Sequence, residues 1–365
     1  MIMKKIKVGI IGCGGIANGK HLPVLAKMPD VEIVAFCDLI QERAEEAAKK
    51  YGVPNALVCT DYHKLLADPT IDNVRVLTQN AAHCRITVDA LNAGKHVLVE
   101  KPMCITPDEA REMIEARDRS GKILAVGYQH KFDADVVYMK DEIADGVLGE
   151  IYFAKCRVVR RRGVPTWGVF TQKKEQGAGP LFDIATHALD EILYMMDNYA
   201  PKMVVGTMYD KLKDQPNCAN PFGPWDVRKF DVEDSAFGFI VMQNGATIML
   251  ECSWLLNTSE SNGGVNYLLC GTKAGADNYT GKLRLNTVKH DRMVDECPNF
   301  SAGGVAFFEG GKGMSNTEAE QRNFIDATTK KCELINTAER AAVVTEILYA
   351  IMRSAQTGEP VYFHK

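Results

Sequence analysis

Hydrophobic and polar positions along the first third of the chain predict strands and helices in turn. Short apolar runs, typical of buried strands, alternate with segments whose apolar residues recur at helical spacing. The predicted strands are Ile6–Ile11, Val31–Cys37, Ala56–Cys59, Asn73–Leu77, Val97–Val99 and Ile123–Val126, and the helices are Gln41–Tyr51, His83–Ala93 and Pro107–Ser120. Strands that alternate with helices in this way favour a parallel, doubly wound sheet.

Beyond Gly127 the pattern changes to alternating strands that are separated by turn residues. The predicted strands are Ile151–Val159, Lys202–Tyr209, Ser235–Gln243, Ala246–Trp254 and Val265–Cys270, with helices at Asp135–Asp145, Glu318–Lys330 and Ala338–Thr357. Asn244-Gly245 between two of these strands is typical of a type I′ hairpin. We therefore expect an α/β domain over residues 1–126 and, over residues 127–365, an α+β domain with a large open, mostly antiparallel sheet.

A glycine-rich turn follows the first predicted strand. Gly12, Gly14 and Ala17 match the small positions of G-x-G-x-x-G/A. The first permits a tight turn, the second lets the backbone approach a pyrophosphate, and the third lets the next helix pack closely. Asp38 ends the second strand, where a carboxylate binds the adenosine ribose and repels a 2′-phosphate. The sequence thus predicts a Rossmann domain that binds NAD in preference to NADP, through Gly12, Gly14, Gly15, Ile16, Ala17 and Asp38. The nearby Arg43 leaves NADP as the alternative.

A charged pair ends the fifth predicted strand. Val97–Val99 is followed by Glu100, Lys101 and Pro102. Ligands bind at the carboxyl ends of parallel strands, so Lys101 is a candidate for chemistry, although most exposed lysines are only solvated.

A second candidate group lies in the segment 177–196. Its apolar residues form one helical stripe, and Asp183, His187, Asp190 and Tyr194 share the other face at steps of three and four. An aspartate one turn before a histidine tunes an imidazole base. A surface ion pair and a metal site are the alternatives, but a third ligand at fitting spacing is missing, so we expect no metal.

Composition narrows the class of protein. The chain has 365 residues, 46% of them hydrophobic, and a net charge of -4, which gives no electrostatic basis for binding nucleic acid or an anionic membrane. Its 11 cysteines are scattered without a C-x-x-C pair, as in reduced cytoplasmic proteins. The expected location is therefore cytoplasmic.

These motifs together resemble the Gfo/Idh/MocA oxidoreductases, the family of glucose–fructose oxidoreductase and inositol 2-dehydrogenase. The resemblance implies an NAD(P)-binding domain, sugar or cyclic polyol substrates, and a carboxyl-terminal sheet through which the chains form a homo-oligomer. It assigns Lys101 to the active site beside the nicotinamide, and Asp183 and His187 to substrate binding and proton transfer. Further cofactor contacts are implied for Thr78, Asn80, His83, Glu100 and Gln129, and a substrate contact for Tyr128.

The loop 160–174 bears on the substrate. Trp167 and Phe170 offer apolar faces to a pyranose ring and Arg160 offers hydrogen bonds to hydroxyls; a solvated basic loop is the alternative. The segment is similar to a branch of the family that oxidises glucose or glucosides, including C-glycosides, at C3. The predicted reaction is oxidation of a secondary hydroxyl with hydride passing to nicotinamide C4, and either Lys101 or His187 serves as base. The alternatives are a glycosidase-like enzyme that retains its NAD, an inositol or polyol dehydrogenase, and a non-catalytic NAD-binding regulator.

Overall fold

A computed structural model of the protein describes residues 5–215, 219–260, 264–300 and 314–363. The chain divides into two compact units, one of residues 1–129 and 314–342, the other of residues 130–313 and 343–365.

The first unit contains a six-stranded parallel sheet. Its strands are β1 Ile6–Ile11, β2 Val31–Cys37, β3 Leu57–Cys59, β4 Asn73–Val76, β5 His96–Glu100 and β6 Leu124–Gly127. They lie in the order β3-β2-β1-β4-β5-β6, with every pair parallel. The order reverses between β1 and β4, and ligands bind at the carboxyl ends of strands beside such a reversal. This arrangement brings Gly12, Asp38, Thr78 and Lys101 to one edge of the sheet.

Helices connect the parallel strands, as the alternating pattern predicts. They are Ala17–His21, which continues into Leu22–Leu25, then Gln41–Tyr51, Tyr62–Leu66, Asn80–Asn92, Pro107–Ser120 and Asn316–Thr328. Pro107–Ser120 begins with a capping box, in which the Thr106 hydroxyl and the Glu109 carboxylate each accept a hydrogen bond from the other residue's backbone N–H.

The segment 314–342 differs from the sequence-based assignment, which placed it in the second domain. Phe324 and Ile325 are buried in the same hydrophobic core as Val8 and Ile10 of β1. The Arg322 guanidinium donates two hydrogen bonds of 2.8 Å to the Asp30 carboxylate. These contacts group the segment with the first unit, and the domain boundary at residue 126 stays a prediction.

The second unit contains a nine-stranded sheet. Its strands are β7 Ile151–Val159, β8 Pro201–Tyr209, β9 Ser235–Met242, β10 Thr247–Ser253, β11 Asn266–Gly271, β12 Gly275–Asp277, β13 Arg284–Lys289, β14 Arg292–Glu296 and β15 Val361–Tyr362. They lie in the order β14-β13-β12-β11-β7-β10-β9-β8-β15. Among the described strand pairs of this second sheet, only β7 and β10 are parallel. The predicted class, a Rossmann domain and a mostly antiparallel second sheet, is therefore confirmed.

Helices of the second unit pack against this sheet. Those of the second unit are Ala134–Ala144, Lys173–Gln176, Pro180–Asp183, Ala185–Met196 and the short turn Val227–Lys229, and the last helix of the chain is Ala338–Thr357. Gly206 of β8 and Gly238 of β9 lie opposite each other, and a Cβ on either would come within 2.6 Å of the Ile351 side chain. The two glycines therefore let the last helix pack directly on the sheet.

The β9–β10 hairpin exists as predicted, but its turn is of a different type. A type I′ turn needs a positive φ at both central residues, whereas Gly245 has a φ of 91° and Asn244 does not lie in the left-handed region. The N–H of Gly245 donates to the Met242 carbonyl at 3.0 Å, so Asn244 lies inside the turn and Gly245 closes it.

No helix of the described chain is long and apolar enough to cross a membrane.

Candidate active site

The glycine turn of the first unit leaves its backbone uncovered. Gly12 has a φ of 95°, and a Cβ there would lie 2.5 Å from the Leu77 carbonyl oxygen, so only glycine fits. A Cβ on Gly14 or Gly15 would meet no atom within 4 Å. The first glycine therefore makes the turn, while the next two leave room for a group that approaches the main chain, as a pyrophosphate does.

Asp38 is held beside this turn. Its Oδ2 accepts a hydrogen bond of 2.8 Å from the Cys13 N–H, and its Oδ1 accepts one of 2.9 Å from the Ile40 N–H. Leu39 beside it is 84% exposed, an unusual position for a large apolar side chain. A fixed carboxylate, an uncovered turn and an exposed apolar side chain together fit the ribose, pyrophosphate and adenine of NAD.

Glu100 is a buried anchor for Lys101. Its Oε1 accepts hydrogen bonds from the Lys20 ammonium at 2.9 Å and from His21 Nε2 at 2.7 Å, and its Oε2 accepts one from the backbone N–H of Lys101 at 3.0 Å. Burial acts to raise the pKa of Glu100, but the Lys20 charge and the His21 hydrogen bond outweigh it, so the pKa lies well below its ordinary value. The ionised carboxylate thus fixes the backbone from which the Lys101 side chain extends.

Lys20 links this anchor to two more residues. Its ammonium lies 3.5 Å from the Glu320 carboxylate and donates a hydrogen bond of 3.1 Å to Gln129 Oε1. Burial raises the pKa of Glu320 to about 7, against the opposing charge of Lys20. Sequence reasoning missed Lys20, His21 and Glu320, because they come from the helix after the glycine turn and from a segment 300 residues further along.

His83 joins two loops at the edge of the sheet. Its Nδ1 lies 2.8 Å from the Pro102 carbonyl oxygen and its Nε2 lies 3.0 Å from the Thr78 carbonyl oxygen. Burial lowers the pKa of His83, against the raising effect of its contacts with the Pro102 and Thr78 carbonyls. His83 is therefore placed to support the loops of Thr78 and Lys101 from behind. Asn80 begins the helix next to them, with 7% of its surface exposed.

Tyr128 is buried in the first unit, with 1% of its surface exposed. Its carbonyl oxygen accepts a hydrogen bond of 3.1 Å from the Asn336 amide. The substrate contact expected of Tyr128 stays a prediction.

The second unit contains a cavity of about 240 Å³. It is lined by His130, Val158, Arg160, Asp183, Ile184, His187, Gly264 and Val265. The structure thus brings together Arg160, Asp183 and His187, which the sequence proposed from two separate segments. It adds His130, which the sequence analysis did not select.

Asp183 and His187 come from two helices rather than one. Pro180–Asp183 ends where Ala185–Met196 begins, and Ile184 between them has a φ of −114°, outside regular helical geometry. Trp254 Nε1–H, from the residue after β10, donates a hydrogen bond of 3.1 Å to Asp183 Oδ2. Asp190, expected on the same polar face, is buried and forms an ion pair of 2.8 Å with Lys131.

A buried carboxylate fixes the turn that carries Asp183. Glu233 accepts hydrogen bonds from the backbone N–H of Gly179 at 2.8 Å and of Leu181 at 3.0 Å. Burial raises the pKa of Glu233 to about 7, against the lowering effect of the two hydrogen bonds. A Cβ on Gly179 would lie 2.4 Å from the Glu233 carbonyl oxygen, so this approach also requires glycine.

The loop after β7 carries an exposed aromatic cluster. Trp167 is 53% exposed and packs edge-to-face on Phe222 at 4.9 Å and on Phe170 at 5.9 Å between ring centroids. The Asn220 side chain ties the two loops together, accepting from the N–H of Val164 and donating to its carbonyl, both at 3.0 Å. Arg160 of the cavity donates to the Gly163 carbonyl at the base of the same loop.

The described parts of the chain contain no candidate metal site. No group of three or more His, Cys, Asp or Glu side chains there is arranged to hold a metal ion.

Comparison with known proteins identifies the family. Residues 6–128 match the family model described as "Oxidoreductase family, NAD-binding Rossmann fold", and residues 140–363 match the "Oxidoreductase family, C-terminal alpha/beta domain". The D-glucoside 3-dehydrogenase of Escherichia coli (strain K12) is 36% identical over 367 residues, 99% of this chain and 98% of the relative.

Solved structures share the fold at lower identity. A levoglucosan dehydrogenase in complex with NADH has a TM-score of 0.82 at 23% identity, over 98% of this chain and 99% of the other. An aldose-aldose oxidoreductase from Caulobacter crescentus has a TM-score of 0.79 at 21% identity, over 98% of this chain and 100% of the other. The prediction of NAD as cofactor is confirmed by the family match, and the chain belongs to the Gfo/Idh/MocA family of NAD-dependent oxidoreductases.

Proposed function

We propose that this dehydrogenase oxidises the 3-hydroxyl of a glucoside to a ketone. The observation that carries the proposal is the cavity that contains Asp183 and His187, with Arg160 at its wall. Carboxylate, imidazole and guanidinium groups around a small cavity suit a polyhydroxylated ligand, because each hydroxyl both donates and accepts hydrogen bonds. The similarity to a D-glucoside 3-dehydrogenase over 99% of the chain supports the choice of substrate.

When bound, NAD would supply nicotinamide C4 as the acceptor of the hydride from the oxidised carbon. The residues of the chain must remove the hydroxyl proton and stabilise the negative charge on oxygen. We propose that His187 accepts the hydroxyl proton, because an imidazole changes charge near neutral pH. We propose that the carboxylate of Asp183 stabilises the imidazolium that forms. We assign to Lys101 a hydrogen bond to the same oxygen. Lys101 as the base is the alternative.

The cofactor contacts follow from the first unit. Gly12, Gly14, Gly15, Ile16 and Ala17 form the proposed pyrophosphate turn. Asp38 holds the ribose, and Thr78, Asn80 and Gln129 lie just beyond the carboxyl ends of β4 and β6. Glu100 and His83 act through the backbone of Lys101, Pro102 and Thr78. Trp167 is proposed to stack on a pyranose face.

The proposal is tested by absorbance at the NADH band, with purified protein, NAD and a panel of glucose, inositol and O- and C-glucosides. We expect NADH to appear with a product two hydrogens lighter than the glucoside. Release of the aglycone without net NADH would indicate a retained cofactor instead. NADH formation with inositol and with no glucoside would mean that the substrate is a cyclic polyol rather than a glucoside.

Variants separate the two proton-handling side chains. Lys101→Ala and His187→Ala should each lower kcat by about a hundredfold to ten-thousandfold and leave the Kd for NAD nearly unchanged. The variant that lacks the true base also loses the acid limb of the pH–rate profile. His63, which pairs with Asp61 at 2.7 Å on the surface, is the matched control, and His63→Ala should keep full activity.

We also propose that the open face of the second sheet forms a homo-oligomer. Val205, Phe239 and Met249 lie side by side across β8, β9 and β10, and each is at least 37% exposed. A contiguous apolar row on a sheet is typical of a protein interface. Phe239→Lys should lower the mass measured by light scattering, whereas an unchanged mass would place the interface elsewhere.

A further inference from the structure

We infer that His130, oriented by Asp133, binds a second sugar hydroxyl next to the one that His187 deprotonates. The inference rests on the proposed function and names the feature of the substrate that the cavity selects. The selected feature is a pair of hydroxyls on adjacent carbons. His130 is thus a specificity-determining residue, and it lies outside the lysine, aspartate and histidine set that the sequence motifs supply.

The two imidazoles share one cavity. His130 and His187 both line the space that contains Asp183 and Arg160. Their ring centroids lie 5.0 Å apart with an angle of 86° between the ring planes. Two rings this close along one cavity can contact the same small ligand, so we assign them to two adjacent hydroxyls of one sugar.

Asp133 fixes the orientation of His130. Its Oδ2 lies 2.6 Å from His130 Nδ1. An ionised carboxylate only accepts hydrogen bonds, so Nδ1 carries the proton and donates it. Among the described residues, none forms a hydrogen bond with the opposite ring nitrogen, Nε2. In the neutral ring, Nε2 is an acceptor, which matches the O–H of a sugar.

The side chain of Asp133 pairs with His130 and does not cap the helix that follows. Asp133 is the N-cap of Ala134–Ala144, yet its side chain forms no capping hydrogen bond. Asp61 and Asp226 at equivalent positions both accept a hydrogen bond from the N–H two residues ahead. Aspartate is a preferred N-cap because of that bond. At Asp133 the ring of His130 holds the carboxylate instead.

The test is an analogue cycle. Wild type, His130→Phe and Asp133→Asn are assayed by NADH formation on a glucoside and on its 2-deoxy and 4-deoxy analogues. In wild type, one of the two analogues should lose about tenfold to a hundredfold in kcat/KM, since the missing hydroxyl leaves His130 Nε2 without its partner in the cavity. His130→Phe should lose a similar factor on the parent glucoside and nothing further on that same analogue.

Asp133→Asn keeps the ring and removes the charge that orients it, so it should show a smaller loss with the same analogue dependence. The surface pair provides the control, because His63→Phe should leave the wild-type pattern intact. If His130→Phe loses the same factor on the parent and on both analogues, or loses nothing, the inference is overturned while the dehydrogenase stands. If wild type forms no NADH on any glucoside, the proposed function fails, and the inference fails with it.

Discussion

The carboxylate of Glu233 accepts a hydrogen bond from the backbone N–H of Leu181 at 3.0 Å, two residues before Asp183. The same carboxylate also accepts from Gly179. The turn that presents Asp183 to the cavity is therefore held by a buried acid, and its stability depends on the protonation state of that acid.

Glu233→Gln should change how stability depends on pH. Burial raises the pKa of Glu233 from 4.5 to about 7 in the folded protein. Between these values the folded state binds a proton that the unfolded state has released, so stability falls as the pH rises from 4.5 to 7. The contribution is present below pH 4.5 and lost at pH 7, a change on the order of 3 kcal/mol. Glutamine does not titrate, so the variant should lack this decline.

The measurement is urea unfolding of wild type and variant at pH 5 and pH 7.5. Glu260→Gln, at a carboxyl that is 70% exposed, serves as the control and should behave as wild type. Equal pH dependence in wild type and Glu233→Gln would mean that Glu233 stays ionised throughout this range.

Trp254→Phe should impair turnover more than it impairs folding. The variant removes the N–H that donates to Asp183 Oδ2 at 3.1 Å, so the carboxylate is less well fixed beside His187. We expect kcat to fall about tenfold with the Kd for NAD unchanged, the effect of one hydrogen bond to a charged group.

Trp225→Phe is the matched control for this variant. Trp225 is also buried in the second unit, and its Nε1–H donates to the Lys213 backbone carbonyl at 2.6 Å. It should lose stability to a similar extent while keeping kcat. Equal losses of kcat in both variants would indicate a general packing defect.

The features that the sequence predicted are local ones. The turn at Gly12 and the acid Asp38 follow from strand ends and small residues within one βαβ unit, so their pattern is visible along the chain. Periodicity also placed Asp183 and His187 near each other, although it missed the helix break at Ile184.

The features that it missed depend on distant contacts. The Glu233 carboxylate accepts a hydrogen bond from Leu181, 52 residues earlier in the chain. Gln321 forms a hydrogen bond with His21, 300 residues earlier. Periodicity assigned Asp190 to a polar face, but Lys131 pairs with it and both are buried. The sequence around Asp190 and the sequence around Lys131 each contain no sign of this ion pair, because the partner lies in a different segment.

Gly12→Ala and Gly14→Ala should separate folding from cofactor binding. Gly12 has a φ of 95° and no room for a Cβ beside Leu77, so alanine should destabilise the protein by about 2 kcal/mol or more. Gly14 faces open space, so its alanine variant should fold normally but raise the Kd for NAD about tenfold or more, because the methyl group occupies the path of the pyrophosphate. Thermal melting and fluorescence titration with NADH measure the two effects. Normal NADH binding by Gly14→Ala would show that the pyrophosphate does not approach this glycine.

Asp38→Asn should shift the cofactor preference towards NADP. The amide oxygen can accept from only one of the two backbone N–H groups, that of Cys13 or that of Ile40, so the variant also loses one hydrogen bond of the turn, and its melting temperature is measured alongside. It removes the negative charge that repels a 2′-phosphate, and it weakens the bond to the ribose hydroxyls of NAD. The ratio of kcat/KM for NADP to that for NAD should rise about tenfold or more, mostly through KM, as expected for a change in binding rather than in chemistry. Both constants are measured with the same glucoside at low salt, where electrostatic repulsion is least screened. An unchanged ratio would mean that a residue other than Asp38 selects the cofactor.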